Sequence, residues 1–198
     1  MIFTDRDLHI WAGKGGVRPY TPQNLNPASL DLTLSQFFID MEQQETGLFT
    51  FEQLTLYPRS LRTELHNTIA ARLFSKPKRF VAVLASTIES LSIPNDVAGE
   101  VKLKTTPCRN GLAYPIADWV DPGFDGQITL ILSATRPIIL TAGMRICQIV
   151  LYRLPRLVAK GYAQRSGHYM NQYGPTRAWE EKWIRTDFSS IRISCGCW

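Results

Sequence analysis

Residues 119–130 read Trp-Val-Asp-Pro-Gly-Phe-Asp-Gly-Gln-Ile-Thr-Leu, and Ile131 follows. Pro122 fixes φ, and Gly123 and Gly126 supply the positive φ of a tight turn. Asp121–Gly126 is therefore a turn between two apolar strands. Asp121 stands at the strand end. Its carboxylate can open the turn, or it can orient a water or a sugar hydroxyl.

Outward from this turn the same texture continues. Leu30, Leu32 and Leu34 alternate with Asp31, Thr33 and Ser35, the period of a strand. Phe80-Val81-Ala82-Val83-Leu84-Ala85 is a buried strand by composition, and Ile93-Pro94-Asn95-Asp96 is a turn. Further strands are expected over about 98–104, 127–134, 137–141 and 145–154. Thr4-Asp5-Arg6-Asp7 signals a helix start, with Thr4 as N-cap. Gly13, Gly15 and Gly16 end that helix. Many short strands with few helical patterns predict a mainly β single domain. A chain of 198 residues can bury one full core and is short for two.

Hydrophobic content of 44% and charge of 20% are ordinary for a globular protein. No apolar run approaches the roughly 18 residues of a membrane span. Asp5, Arg6 and Asp7 interrupt the region a signal peptide keeps apolar. Cys108, Cys147, Cys195 and Cys197 lack metal-finger spacing, and the Cys195/Cys197 pair offers only two ligands. Reduced thiols in the cytoplasm are the expectation. The net charge of +5 favours anionic partners. The cations are dispersed, however, with Lys76, Lys78 and Arg79 the only short cluster. A small anion such as a triphosphate fits this better than nucleic acid or a membrane. His9 and His66 show no partner pattern, so no Ser/His/Asp or Cys/His set is expected.

Six segments stand in a telling order: Met1–Leu8; Asn26-Pro27-Ala28-Ser29-Leu30-Asp31-Leu32-Thr33-Leu34; Val101–Leu112; the Asp-Pro-Gly-Phe turn; Ala142–Gln148; and His168–Pro175. The series resembles the dCTP deaminase family of the dCTP deaminase–dUTPase superfamily, over residues 1–177. The stretch between about 40 and 75 is unfamiliar. Residues 178–198, with Trp179, Trp183 and Trp198, read as a Trp-rich extension. The resemblance implies a distorted β-barrel or jelly-roll of the dUTPase type, with a short N-terminal helix and a C-terminal lid. It also implies a homotrimer with sites between subunits.

The family's triphosphate-binding segment matches Lys104, Thr105, Thr106 and Arg109, followed by Gly111. Hydroxyls and guanidinium groups suit phosphate oxygens, because charge-assisted bonds are short and strong. Lys104 stands where the family usually has arginine, which loses the bidentate fork. Pro107 removes an amide donor. Gln148 matches a position near the nucleotide. Tyr162, Tyr169, Gln172 and Arg177 fall in the lid, and His168 falls where lysine is frequent. The resemblance implies Mg²⁺ carried by the triphosphate, with no direct protein ligand.

Asp121 matches the aspartate that in the dUTPase branch contacts the sugar and orients the attacking water. The deaminase branch has a glutamate after Ile-Thr-Leu as its general acid–base. Here that residue is Ile131, which cannot move a proton. Ala134 replaces an asparagine, and Trp119 stands where the deaminases often keep arginine. Trp119, Ile131 and Ala134 are thus the expected base-selecting positions. Three readings follow. The first is a dUTPase-like hydrolase giving monophosphate and pyrophosphate through Asp121. The others are a catalytically silent nucleotide sensor or sponge, and a dCTP deaminase with a different proton-transfer group.

Overall fold

The computed structural model describes residues 1–41, 48–58, 81–114, 118–165 and 167–178. The expected Trp-rich tail beyond Ala178, the Cys195/Cys197 pair, His66 and the Lys76–Arg79 cluster lie outside the described residues.

The protein is mainly β. Its strands are β1 Val17–Arg18, β2 Leu25–Asn26, β3 Ser29–Asp40, β4 Phe49–Thr50, β5 Gln53–Leu56 and β6 Ala82–Ser92. They continue with β7 Val97–Leu103, β8 Leu112–Ala113, β9 Trp119–Val120, β10 Asp125–Ala134, β11 Ile138–Thr141 and β12 Arg145–Arg153. Helices are short: α1 Asp5–Trp11, α2 Thr105–Arg109 and α3 Tyr162–Arg165. Among the described residues no helix is long and apolar enough to cross a membrane.

One sheet runs in the order β8-β10-β6-β3-β12-β7-β9, with β1 on β6 and both β2 and β4 on β3; β5 and β11 pair separately. The sheet curls because β3 serves two partners. Leu30–Thr33 pairs with β12, whereas Leu34 and Phe38–Asp40 pair with β6. The register shifts between Leu34 and Phe38, and such a bulge bends a strand and increases its twist. Ser35 satisfies the disrupted ladder there, meeting Ser86 Oγ at 2.7 Å and accepting from the Phe37 amide at 3.2 Å.

The expected strand boundaries fall within two residues of those found for β7, β10, β11 and β12. The alternation in β3 has a different outcome from a half-exposed strand. Leu30, Leu32 and Leu34 are buried in the core, and so are Asp31 and Ser35. Both faces of β3 are covered, so the polar residues carry internal partners instead of water. The α1 start is as expected: Asp7 Oδ2 accepts from the Thr4 amide at 3.0 Å and from the Thr4 hydroxyl at 2.9 Å. These bonds hold the Asp7 carboxyl below the usual range. The helix ends earlier than expected, at Trp11, in a wide turn over Ala12–Gly16. The core joins residues from α1, β3, β6, β10 and β12.

Candidate active site

The Asp121–Gly126 turn forms as its residues dictate. Gly123 has φ 84° and Gly126 φ 142°. The Phe124 amide donates to Asp121 O at 3.2 Å, and Gly123 and Phe124 exchange backbone bonds with Ile93. Phe124 is thereby sunk into the core while Asp121 stays exposed.

The turn forms one side of a cavity of about 620 Å³. Leu84, Val101, Val120, Phe124, Ile128 and Ile131 give it apolar walls. Asp118, Asp121, Thr129, Gln172 and Arg177 supply polar groups, and Trp119, Tyr114, Tyr162 and Tyr169 supply rings. A concave, mostly apolar site with few convergent polar groups is the usual form of a small-molecule site. Burial, followed by the nearby Cys147 and Asp118, pushes the Tyr114 hydroxyl upward, so it stays protonated.

The cavity gathers seven of the expected site residues: Trp119, Asp121, Ile131, Tyr162, Tyr169, Gln172 and Arg177. The segment from Tyr162 onward is docked on the turn and on β10. The Tyr162 amide donates to Pro122 O at 2.8 Å, and its ring lies 5.9 Å from that of Phe124. The Tyr169 amide donates to the Tyr162 hydroxyl at 3.3 Å. Gln172 is fastened on both faces of its amide: its Nε2 donates to Gln127 O at 2.6 Å, and its Oε1 accepts from Thr129 Oγ1 at 3.1 Å. The Thr176 amide donates to the same Thr129 hydroxyl at 3.1 Å.

The other expected residues lie elsewhere. Ala134 does not line the cavity; it is buried opposite Leu112 on β8. Thr105, Thr106 and Arg109 are exposed on α2, away from the cavity lining. Lys104 is not a free cation, because its ammonium is bonded to Asp31 Oδ2. Asp31 is only 1% exposed, and it also accepts from Asn26 Nδ2 at 2.8 Å and faces Arg145 Nη1 at 3.7 Å. Gln148 pairs in register with Asp31 on one side and Lys102 on the other, and its Oε1 accepts from Ser29 Oγ at 2.9 Å. The single chain thus carries two clusters: a turn-side cavity, and a polar group around Asp31, Lys104 and Gln148 at the foot of α2.

Sequence reading missed Asp118 and Asp31. Asp118 lines the cavity with its Oδ2 3.7 Å from Lys102 Nζ. Its signal was its position, three residues before Asp121 at the entry to β9. The signal for Asp31 was a carboxylate inside a leucine-rich strand, which burial obliges to find a partner. Among the described residues no group of three or more His, Cys, Asp or Glu is gathered to hold a metal. Cys108 is an exposed free thiol, and Cys147 is buried, which pushes its thiol upward and leaves it inert.

A family model described as dCTP deaminase-like matches residues 3–154. A protein of Clavibacter michiganensis subsp. michiganensis named "dCTP deaminase, dUMP-forming" is 35% identical over 191 residues, covering 89% of this chain and 89% of the relative. A protein of the same name from Aquifex aeolicus is 36% identical over 193 residues, covering 94% of this chain and all of the relative. Among solved structures, the 2'-deoxycytidine 5'-triphosphate deaminase of Agrobacterium tumefaciens superposes with a TM-score of 0.57 at 16% identity. That match covers 76% of this chain and 47% of the solved one, so the chain spans less than half of that structure, and the likeness speaks for the fold. The match of the family model over most of the length, and relatives aligned nearly end to end, show that this chain belongs to the dCTP deaminase-like family.

Proposed function

We propose that the protein binds a pyrimidine deoxynucleoside triphosphate and hydrolyses it to a monophosphate and pyrophosphate. The observation that carries this reading is the pairing, in one cavity, of Asp121 with an apolar wall containing Ile131. Asp121 contacts the sugar and orients the water that attacks phosphorus. Ile131 packs beside the base and offers no proton, so the amine-releasing half of deaminase chemistry has no acid–base group at that wall. The relatives are named dUMP-forming, and a monophosphate is the product class that hydrolysis alone also yields. Thr105, Thr106 and Arg109 bind phosphate oxygens, with Gln148 beside them. Mg²⁺ rides on the phosphates, since it keeps several waters and takes few carboxylates at such sites. Because α2 and the cavity are separate in one chain, a homotrimer brings one subunit's α2 to another's cavity. A second reading, binding without turnover, draws on Lys104, whose charge is already taken by Asp31.

The test is incubation with Mg²⁺ and dCTP, dUTP or dTTP, with products separated by chromatography. Release of monophosphate and pyrophosphate is expected, with Asp121→Asn abolishing turnover while binding persists. Nucleotides returned unchanged, with binding that Lys104→Ala or Arg109→Ala weakens, would favour the silent reading. Ammonia released from dCTP by the unaltered protein would overturn the role given to Ile131, and Ile131→Glu is expected to create that activity.

A further inference from the structure

We propose that Trp119 is a positioning residue for Asp121: the indole N–H fixes one carboxylate oxygen, and Tyr152 fixes the indole. This deepens the reading of Asp121 as the site's working carboxylate and rests on it. Trp119 and Asp121 are two residues apart on extended backbone, so both side chains leave the same face. Val120 between them turns into the core and is buried. The Trp119 Nε1–H donates to Asp121 Oδ1 at 3.2 Å. An indole is a donor only, so this contact has one polarity.

The indole is itself held. It stacks on Tyr152, with ring centroids 6.3 Å apart and planes 24° from parallel. The Tyr152 hydroxyl donates to Glu100 Oε2 at 2.7 Å, and Glu100 also takes the Lys102 ammonium. Those bonds, the one from Lys102 foremost, keep the Glu100 carboxyl below its ordinary range, so it remains an acceptor. Backbone pairing sets the geometry: Glu100 lies opposite Trp119 in one ladder and opposite Val150 in the other. Three adjacent strands therefore aim one ring. Trp119 is 58% exposed, so these contacts, and not burial in the core, hold its ring.

The choice of donor matters chemically. An indole carries no charge, so it orients the carboxylate without neutralising it, as a cation would. Asp121 Oδ2 is left for a water or a sugar hydroxyl. Trp119 therefore acts by aiming Asp121 and not by selecting the base.

Two measurements test this. The chain has five tryptophans, and Trp119→Phe identifies the Trp119 indole N–H resonance in a ¹⁵N-labelled sample. Asp121→Ala should shift that resonance and speed its exchange with water; an unaffected resonance overturns the contact. This readout needs no turnover, so a protein that hydrolyses nothing sinks the hydrolase reading while the resonance still decides the contact. In kinetics, Trp119→Phe keeps a ring on Tyr152 and loses the N–H. We expect kcat about tenfold lower, the scale of one lost bond to a charged group, with KM changed less than about twofold. Tyr152→Phe, which keeps the stack but loses the bond to Glu100, should lower kcat by less than Trp119→Phe does, and Tyr152→Leu should resemble Trp119→Phe. A raised KM at unchanged kcat in Trp119→Phe would show a base contact and overturn the proposal.

Discussion

Glu89 sits 4% exposed in the middle of β6, where it accepts from the Thr33 amide at 2.8 Å and the Thr33 hydroxyl at 2.7 Å. Burial outweighs those two bonds and raises its carboxyl above the ordinary range. The folded protein therefore holds this proton to higher pH than the unfolded chain does. Between the unfolded value near 4.5 and the raised folded value, stability falls as pH rises. Relative to Glu89→Gln, the wild type should gain stability as pH falls through the raised folded value towards about 4.5, as read by urea denaturation at each pH. A difference that grows in the opposite direction would refute the assignment. Single residues differ in how far the sequence discloses them. Asp121 is legible because its neighbours Pro122 and Gly123 fix the local backbone. Asp31 is legible only as an oddity, since its partner Lys104 lies 73 residues away and reaches it through the fold. Ala134 is a site position only by the family resemblance, where it replaces an asparagine, and strand register sets it against Leu112 in the core.

At the scale of elements, the turn works as a dock for the C-terminal segment. A Cβ on Gly123 would lie 2.7 Å from Asn95 Oδ1 and 3.2 Å from the Tyr162 amide nitrogen. Gly126 is also covered, with the Gln172 amide nitrogen 3.0 Å from such a Cβ and the Asn171 amide donating to Asp125 O at 2.8 Å. Gly123→Ala thus meets both a positive φ and occupied space. We expect a loss of about 1–3 kcal/mol in denaturant unfolding, the range for strained backbone, and weaker nucleotide binding because Tyr162 loses its seat. Unchanged stability would show that the segment yields freely at this point. The elements themselves were largely readable, because turn residues and period-two alternation act over a few neighbours. The lid was placed by resemblance alone. Its bonding to β10 through Gln127 and Thr129 was not readable, because Gln172 and Thr176 carry no pattern that names a partner strand.

At the scale of the molecule, strand order explains why the expected site residues fall in two separate clusters. β7 leads from the cavity wall at Val101 to Lys104 and α2, so the expected phosphate residues leave the cavity along the strand. The chain's own C-terminal segment lines the cavity on its other side, so that segment is not what brings α2 to it. The proposed homotrimer, if closed by heterologous contacts, would do so by symmetry, each subunit offering its α2 to one neighbour and its cavity to the other. This arrangement predicts complementation. Asp121→Asn and Arg109→Ala should each be inactive as pure proteins. Unfolded together and refolded as an equal mixture, they should recover about a quarter of wild-type turnover, the chance that a cavity with intact Asp121 meets a neighbour with intact Arg109. If both residues acted within one chain, no mixed assembly could contain an intact site, and the mixture would stay silent. Light scattering on the same samples fixes the assembly, so a monomer at micromolar concentration would refute the shared site before any turnover is measured.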